Sequence, residues 1–82
     1  MNATPDISIR SADAQDYTAL WQLAALDDRP LPHGPFVVAV VDGEVIAAVS
    51  RETGQAIADP FRRTAQAVAL LRLRATQLSV AA

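Results

Sequence analysis

The chain has 82 residues, enough for one small domain. It has no cysteine and one histidine, which excludes disulfide frameworks, thiolate zinc sites and iron–sulfur clusters, and we expect no bound metal. Seven basic residues, all arginine, stand against nine acidic ones for a net charge of −2. A nucleic-acid-binding protein normally carries a basic excess, so we expect no nucleic-acid partner.

Apolar residues make up 51% of the chain, but 17 of the 82 residues are alanine, so large core side chains are few. A chain this short buries a small fraction of its surface, and a partner subunit would add to that burial. Residues 1–6 lack the basic start and apolar stretch of a signal peptide, and no apolar run reaches membrane-spanning length. We therefore expect a cytoplasmic protein without membrane insertion, and the arginine-only, alanine-rich composition is typical of a bacterial source.

The first half of the chain predicts a strand, a helix and a proline-rich loop. The alternation in residues 7–10 indicates a half-buried strand, and Ser11 or Asp13 can cap a helix over residues 13–26. Its predicted buried face consists of Tyr17, Leu20, Trp21 and Ala24. Residues 28–35 contain three prolines and a glycine, which predicts a loop.

A β-meander is predicted next. The continuous run Phe36–Val41 is typical of a strand covered on both faces. Asp42-Gly43 between two apolar runs predicts a two-residue hairpin loop into a strand over residues 44–49. The expected register pairs Val41 with Glu44, Ala39 with Ile46 and Val37 with Ala48. A turn at residues 51–54 and a short strand at residues 55–58 complete the meander.

A long helix is predicted from Asp59-Pro60 to about Leu78, because an acidic cap followed by proline is typical of a helix start. The stripe expected to pack on the sheet consists of Thr64, Ala67, Val68, Leu71, Ala75 and Leu78. Leu70 and Leu73 lie on the opposite flank and form a candidate interaction surface. The fold class is therefore α+β, with a mostly antiparallel sheet in the order β-α-β-β-β-α. We expect a flexible N-terminus over residues 1–6, a single domain over residues 7–78 and a tail over residues 79–82.

Three segments together resemble the first half of the GNAT superfamily of acyl-CoA-dependent N-acetyltransferases. Residues 7–12 match the family's first strand, I-x-I-R-x-A, and residues 38–47 match its hairpin, V-A-x-x-D-G-x-x-x-A. Residues 62–67 stand where the family has its pyrophosphate loop, R/Q-x-x-G-x-G/A, with Pro60 just upstream. The resemblance covers about residues 7–78 and implies the family's first four strands and the helix after them.

The resemblance implies a cofactor site that is degenerate in this chain. Residues at the loop positions, and hence candidate acetyl-CoA contacts, are Arg62, Arg63, Thr64, Ala65 and Ala67. Ala65 replaces the first glycine, which normally lets the backbone approach the phosphates. In the family a fifth strand completes the cofactor cleft, whereas only residues 79–82 follow the predicted helix here. We therefore expect a half-fold that lacks the fifth strand onward.

Candidate catalytic groups are few. Glu44 stands beside a hairpin turn, Tyr17 is assigned to the core, and His33 lies in the proline-rich loop without a predicted partner. We therefore assign no catalytic residue and no cofactor. The expectation is a non-catalytic GNAT-like protein-interaction module that binds a protein partner, either a second copy or a larger complex. The alternative is an acetyl-CoA-binding protein or N-acetyltransferase whose cleft a second chain completes.

Overall fold

The computed structural model describes residues 6–81, and the burial of side chains for residues 6–78. Two helices and four strands follow the predicted order, so the α+β prediction is confirmed. Of the predicted flexible N-terminus, residues 1–5 lie outside the described part. The elements are β1 (Ser8–Ser11), α1 (Tyr17–Leu26), β2 (Phe36–Val41), β3 (Glu44–Ser50), β4 (Ala56–Ala58) and α2 (Ala65–Ala81), with one 3₁₀ turn over Ala14–Asp16 before α1.

The four strands form one antiparallel sheet in the order β1-β2-β3-β4. The predicted hairpin joins β2 to β3, with Val41 opposite Glu44. Asp42 and Gly43 at its tip have φ angles of 52° and 81°. Positive φ at both central positions matches the twist of the flanking strands, which explains why Asp-Gly is favoured there.

The rest of the predicted hairpin register is wrong because β3 contains a bulge. Val40 pairs with Val45, but Ala39 pairs with Ala47, so Ile46 is the extra residue. The Ile46 carbonyl accepts a hydrogen bond of 2.9 Å from the Asp59 backbone N–H. The bulge places Ile46 and Ala47 on the same face of the sheet, where both are buried.

The helices cover opposite faces of the sheet and create two separate cores. The core beneath α2 contains Val37, Ala39, Val41, Ile46, Ala47, Val49, Ala67, Leu71 and Ala75. The core beneath α1 contains Leu20, Leu23, Ala24, Phe36, Val38, Ala48 and Ile57. Because β2 contributes to both cores, its sequence is a continuous apolar run, as the pattern indicated.

The predicted buried face of α1 is wrong at its two aromatic positions. Trp21 is 62% exposed and Tyr17 is 42% exposed, whereas Leu23 is buried. The helix is rotated so that Leu20, Leu23 and Ala24 face the sheet. Tyr17 lies at the margin and meets Phe36 edge-on, with ring centroids 6.3 Å apart.

The stripe predicted for α2 is confirmed, but its ends differ. Ala67, Leu71 and Ala75 are buried, and Val68 and Leu78 pack at the border of the same core. The helix begins at Ala65 rather than at Asp59 and continues to Ala81, three residues beyond the predicted end. Most of the predicted tail over residues 79–82 is therefore helical.

Candidate functional site

The segment that resembles a pyrophosphate loop lies between β4 and α2. The Asp59 carboxylate accepts a hydrogen bond from the Phe61 backbone N–H at 2.8 Å and so caps a turn, not α2. Because the Asp59 backbone is bound to the bulge in β3, it continues the edge of the sheet and does not begin the helix. The loop positions therefore fall directly before α2 and in its first turn.

Arg62 is paired with two carboxylates. Its guanidinium lies 2.5 Å from a Glu44 oxygen and 3.7 Å from an Asp59 oxygen. Glu44 is exposed at the hairpin, as the sequence indicated. The next residue, Arg63, is also exposed. Of the two predicted phosphate-binding arginines, Arg62 therefore has its charge balanced within the protein.

The remaining loop positions divide between surface and core. Ala65 is exposed at the first helical position, and Thr64 is half-buried. The Thr64 carbonyl accepts from the Val68 N–H at 2.8 Å, the first helical hydrogen bond of α2. Ala67 is 1% exposed and packs on the sheet. The structure thus groups Arg62, Thr64 and Ala65 near the start of α2 but turns Ala67 away from solvent.

Leu70 and Leu73 lie on the outer side of α2, with exposed fractions of 39% and 57%. Gln66, Ala69 and Gln77 are also exposed on this helix. Helical spacing places all of them opposite the stripe that contains Leu71. The outer face of α2 therefore presents two leucines among uncharged side chains, and the exposed Arg72 and Arg74 flank it.

The residue His33 is exposed, but its backbone carbonyl takes part in a partly buried hydrogen bond. Its carbonyl accepts a hydrogen bond from the hydroxyl of Ser50, which is fully buried. The Ser50 Oγ also accepts from the backbone N–H groups of Glu52 and Thr53, at 3.2 and 3.1 Å. Ser50 therefore joins the proline-rich loop to the turn after β3, a role that its position in the sequence did not indicate.

Sequence reasoning also missed a bidentate ion pair between Arg10 and Asp16. The two guanidinium nitrogens lie 2.7 and 2.9 Å from the two carboxylate oxygens, and Asp16 is nearly buried. Asp16 also accepts from the Asp13 backbone N–H at 2.8 Å, and the Asp13 carboxylate accepts from the Gln15 N–H at 2.9 Å.

The Arg10 guanidinium lowers the pKa of Asp16 to about 2, with help from the Asp13 backbone, and the hydrogen bond from Arg10 to Asp16 raises the arginine's pKa. The Asp-x-x-Asp spacing of Asp13 and Asp16 was the available signal, because it is the spacing of a capping box.

Across residues 6–81, no helix is long and apolar enough to cross a membrane. The same part of the chain contains no group of three or more metal-ligating side chains. Comparisons of the chain with family models, curated proteins and solved structures find no match. The geometry of the described residues is therefore the basis for a functional proposal.

Proposed function

We propose that this chain is a non-catalytic protein-interaction module that associates with a second copy of itself through the outer face of α2. The exposure of Leu70 and Leu73 on the outer face of α2 carries the proposal. Two leucines one helical turn apart present a ridge that a facing helix can accommodate. Covering this ridge adds apolar burial that an 82-residue chain has little means to obtain within its own core.

The geometry of α2 suits a two-fold symmetric contact. The helix spans 17 residues, roughly 25 Å at a rise of about 1.5 Å per residue. An antiparallel pair of identical helices brings each ridge against its symmetry mate and aligns the helix dipoles favourably. Stable interfaces bury about 1,200–2,000 Å² in total, and a single helix pair provides less. The expected assembly is therefore a weak dimer that depends on protein concentration.

Sedimentation equilibrium of the purified chain tests this proposal. Leu73→Arg places a charge in the ridge beside Arg72 and Arg74 and should abolish association while helix content stays constant. Leu26→Arg is the matched control, because Leu26 is an exposed leucine on α1. A monomeric parent protein, or equal association in Leu73→Arg and the parent, would contradict the proposal. Loss of association in a Trp21→Arg variant alone would move the interface to α1.

One observation favours acyl-CoA binding as a second candidate function. The loop at residues 62–64 leads into a helix that begins at Ala65, and the Asp59 carboxylate binds the Phe61 N–H and not the first turn of α2. The N-terminus of a helix attracts phosphate through its backbone N–H groups and its dipole. The element order β-α-β-β-β-α, on which the GNAT resemblance partly rests, supports this candidate as well. The pairing of Arg62 with Glu44 and Asp59 weighs against this function, because a phosphate would have to displace a carboxylate.

Calorimetric titration with acetyl-CoA at low salt separates the two functions. If the chain binds acyl-CoA, the titration should give a saturable heat signal. The affinity for acetyl-CoA should then increase in Ala65→Gly and decrease in Arg63→Gln. Arg74→Gln is the matched charge control, because Arg74 is exposed further along α2. Absence of heat with a folded sample would leave the interaction module as the remaining proposal.

A further inference from the structure

A cavity of about 430 Å³ lies between the end of β3, the turn that follows and the middle of α2. Two arginines, Arg51 and Arg72, line it together with the Thr76 side chain. Val49 and Ala75 supply apolar surface in the same cavity. The volume falls within the range of small-molecule sites, about 300–1,000 Å³.

Two other cavities of the described chain contain carboxylates. A cavity of about 350 Å³ beside β4 is lined by Asp27, whose carboxylate lies 3.4 Å from Arg29, and also by Arg72. A cavity of about 340 Å³ beside the β2–β3 hairpin is lined by the Arg10–Asp16 pair and by two further carboxylates, Glu44 and Asp59. Each of these cavities therefore includes both members of an ion pair.

The cavity under α2 differs because it is lined by two cations and no carboxylate. Within residues 6–81, neither Arg51 nor Arg72 forms an ion pair. Glu52 follows Arg51 in the chain but does not line the cavity. In a protein with a net charge of −2, two unbalanced arginines at one cavity select for an anion.

Arg51 also has a buried donor without a partner. Its Nε is shielded from solvent and makes no hydrogen bond to the described residues. Buried donors are normally paired, because an unpaired one loses its hydration without compensation. Within the described residues, the environment of Arg51 therefore leaves one of its donors unsatisfied.

The backbone that carries Arg51 is held in place. Its N–H donates to the Pro35 carbonyl at 2.8 Å, and Ser50 beside it binds both the proline-rich loop and its own turn. On the opposite wall, the Arg72 Nε lies 3.5 Å from the Gly54 carbonyl, a long contact. Most of the donors of Arg72 therefore stay available to an incoming anion.

From this geometry we propose that the cavity binds a phosphate monoester with a small apolar substituent. The dianionic phosphate takes the guanidinium groups of Arg51 and Arg72, which suit bidentate contacts to phosphate oxygens. The apolar substituent covers Val49 and Ala75. Arg72 lies seven residues after the start of α2 at Ala65, roughly 10 Å along the helix at about 1.5 Å per residue. The site is therefore separate from the loop at residues 62–64.

Titration of the isotope-labelled protein with phenyl phosphate and with inorganic phosphate, followed by NMR, tests this site. We expect saturable shifts of the Arg51 and Arg72 Nε–H resonances, with phenyl phosphate binding about tenfold more tightly than inorganic phosphate because it buries apolar surface. Benzoate has the same ring with a single negative charge, and we expect it to bind more weakly than phenyl phosphate.

Matched variants make the test specific. Arg72→Gln should weaken phenyl phosphate binding about tenfold, as expected for a charge-assisted contact, whereas Arg74→Gln should leave it unchanged. Arg51→Gln provides a second test at the opposite wall, with a backbone amide spectrum to establish that it is folded. Shifts that grow linearly without saturation, equal losses in Arg72→Gln and Arg74→Gln, or tighter binding of benzoate would each overturn the proposal.

Discussion

The two faces of the sheet are covered by helices that are held in different ways. α1 has ten residues and is anchored by polar contacts at both ends. The Arg10–Asp16 ion pair lies at its start. At its end, the Asp27 carboxylate accepts a hydrogen bond from the Ala58 N–H at 3.1 Å. α2 has 17 residues and is held mainly by an apolar stripe centred on Leu71. The shorter helix therefore depends on specific polar anchors, and the longer one on packing.

The physical reason lies in helix length and in the size of the buried side chains. An isolated helix of about ten residues is unstable in water, so α1 requires fixed ends. α2 is longer, but alanines occupy two of its buried positions, Ala67 and Ala75, and the sheet adds a third alanine, Ala47, to the same core. Small residues allow close approach but bury little area, so most of the apolar contribution of α2 depends on Leu71.

The largest expected effect comes from removing one buried leucine on either face. Leu71→Ala and Leu20→Ala should each lower the free energy of unfolding by about 3 kcal/mol, because both side chains are fully buried. In Leu71→Ala, the backbone amides of α2 should also lose protection from hydrogen exchange before the amides of the rest of the chain do. In Leu20→Ala, the amides of α2 should not be the first to lose protection. Leu70→Ala, at an exposed position, is the control and should cost less than about 1 kcal/mol. Equal loss of protection along the whole chain in Leu71→Ala would contradict the contrast between the helices.

The next effect concerns the polar anchor of α1. Asp16→Asn should lower the free energy of unfolding by about 1–2 kcal/mol, a value reduced from that of a fully buried pair because Arg10 is half-exposed. Asp13→Asn keeps an acceptor for the Gln15 N–H and serves as the milder control. Urea unfolding at neutral pH measures both. A cost for Asp16→Asn no larger than that for Asp13→Asn would show that packing alone holds α1.

The same anchor predicts an acid-sensitive stability. The pKa of Asp16 is lowered from 3.8 to about 2 in the folded chain, so its ionised form stabilises the fold. This contribution is fully present above about pH 4–5 and is lost as the pH falls through about 2. Thermal unfolding between pH 5 and pH 2 should show a decline that is shallower in Asp16→Asn. Parallel pH profiles for the two proteins would contradict the assignment of this decline to Asp16.

A smaller gain is expected at the end of α1. Asp28 has a φ of 54°, and the Arg29 N–H donates to the Ala24 carbonyl, the arrangement of a Schellman cap. Glycine adopts this conformation without steric cost, and removing a negative charge at a helix C-terminus is also favourable. Asp28→Gly should therefore raise the free energy of unfolding by about 0.5–1 kcal/mol. Asp28→Ala removes the charge alone, and an equal gain there would rule out the conformational explanation.

The smallest expected effect is at the start of α2. This first turn contains no acidic residue, and Ala65 is exposed. Ala65→Glu should stabilise the chain by about 0.3–0.5 kcal/mol through the helix dipole, and Ala65→Lys should destabilise it by a similar amount. Thermal unfolding at low and high salt measures the pair, because screening should reduce the difference between them. A difference that does not change with salt would contradict the electrostatic account.

Local signals in the sequence predicted most of the elements. Asp42-Gly43 predicted the hairpin tip, because few residue pairs accept positive φ at two successive positions. The spacing of Ala67, Leu71 and Ala75 predicted the buried stripe of α2, and the same periodicity placed Leu70 and Leu73 outside it. These features depend on the conformations and spacing of residues close together in the chain, so the sequence was sufficient to determine them.

Features that depend on contacts between distant residues were decided by the tertiary structure. The bulge at Ile46 moves the register by one residue, and Asp59, which binds the carbonyl of the bulge, delays the start of α2. The ion pair between Arg10 and Asp16 joins β1 to the turn before α1. The rotation of α1 leaves Trp21 exposed. The cavity between Arg51 and Arg72 likewise forms only because the turn after β3 meets α2. Arg72 and Gly54, which are 18 residues apart in the chain, are in contact there. Periodicity identifies an apolar face only approximately, and one long-range contact is enough to determine which side chains that face finally buries.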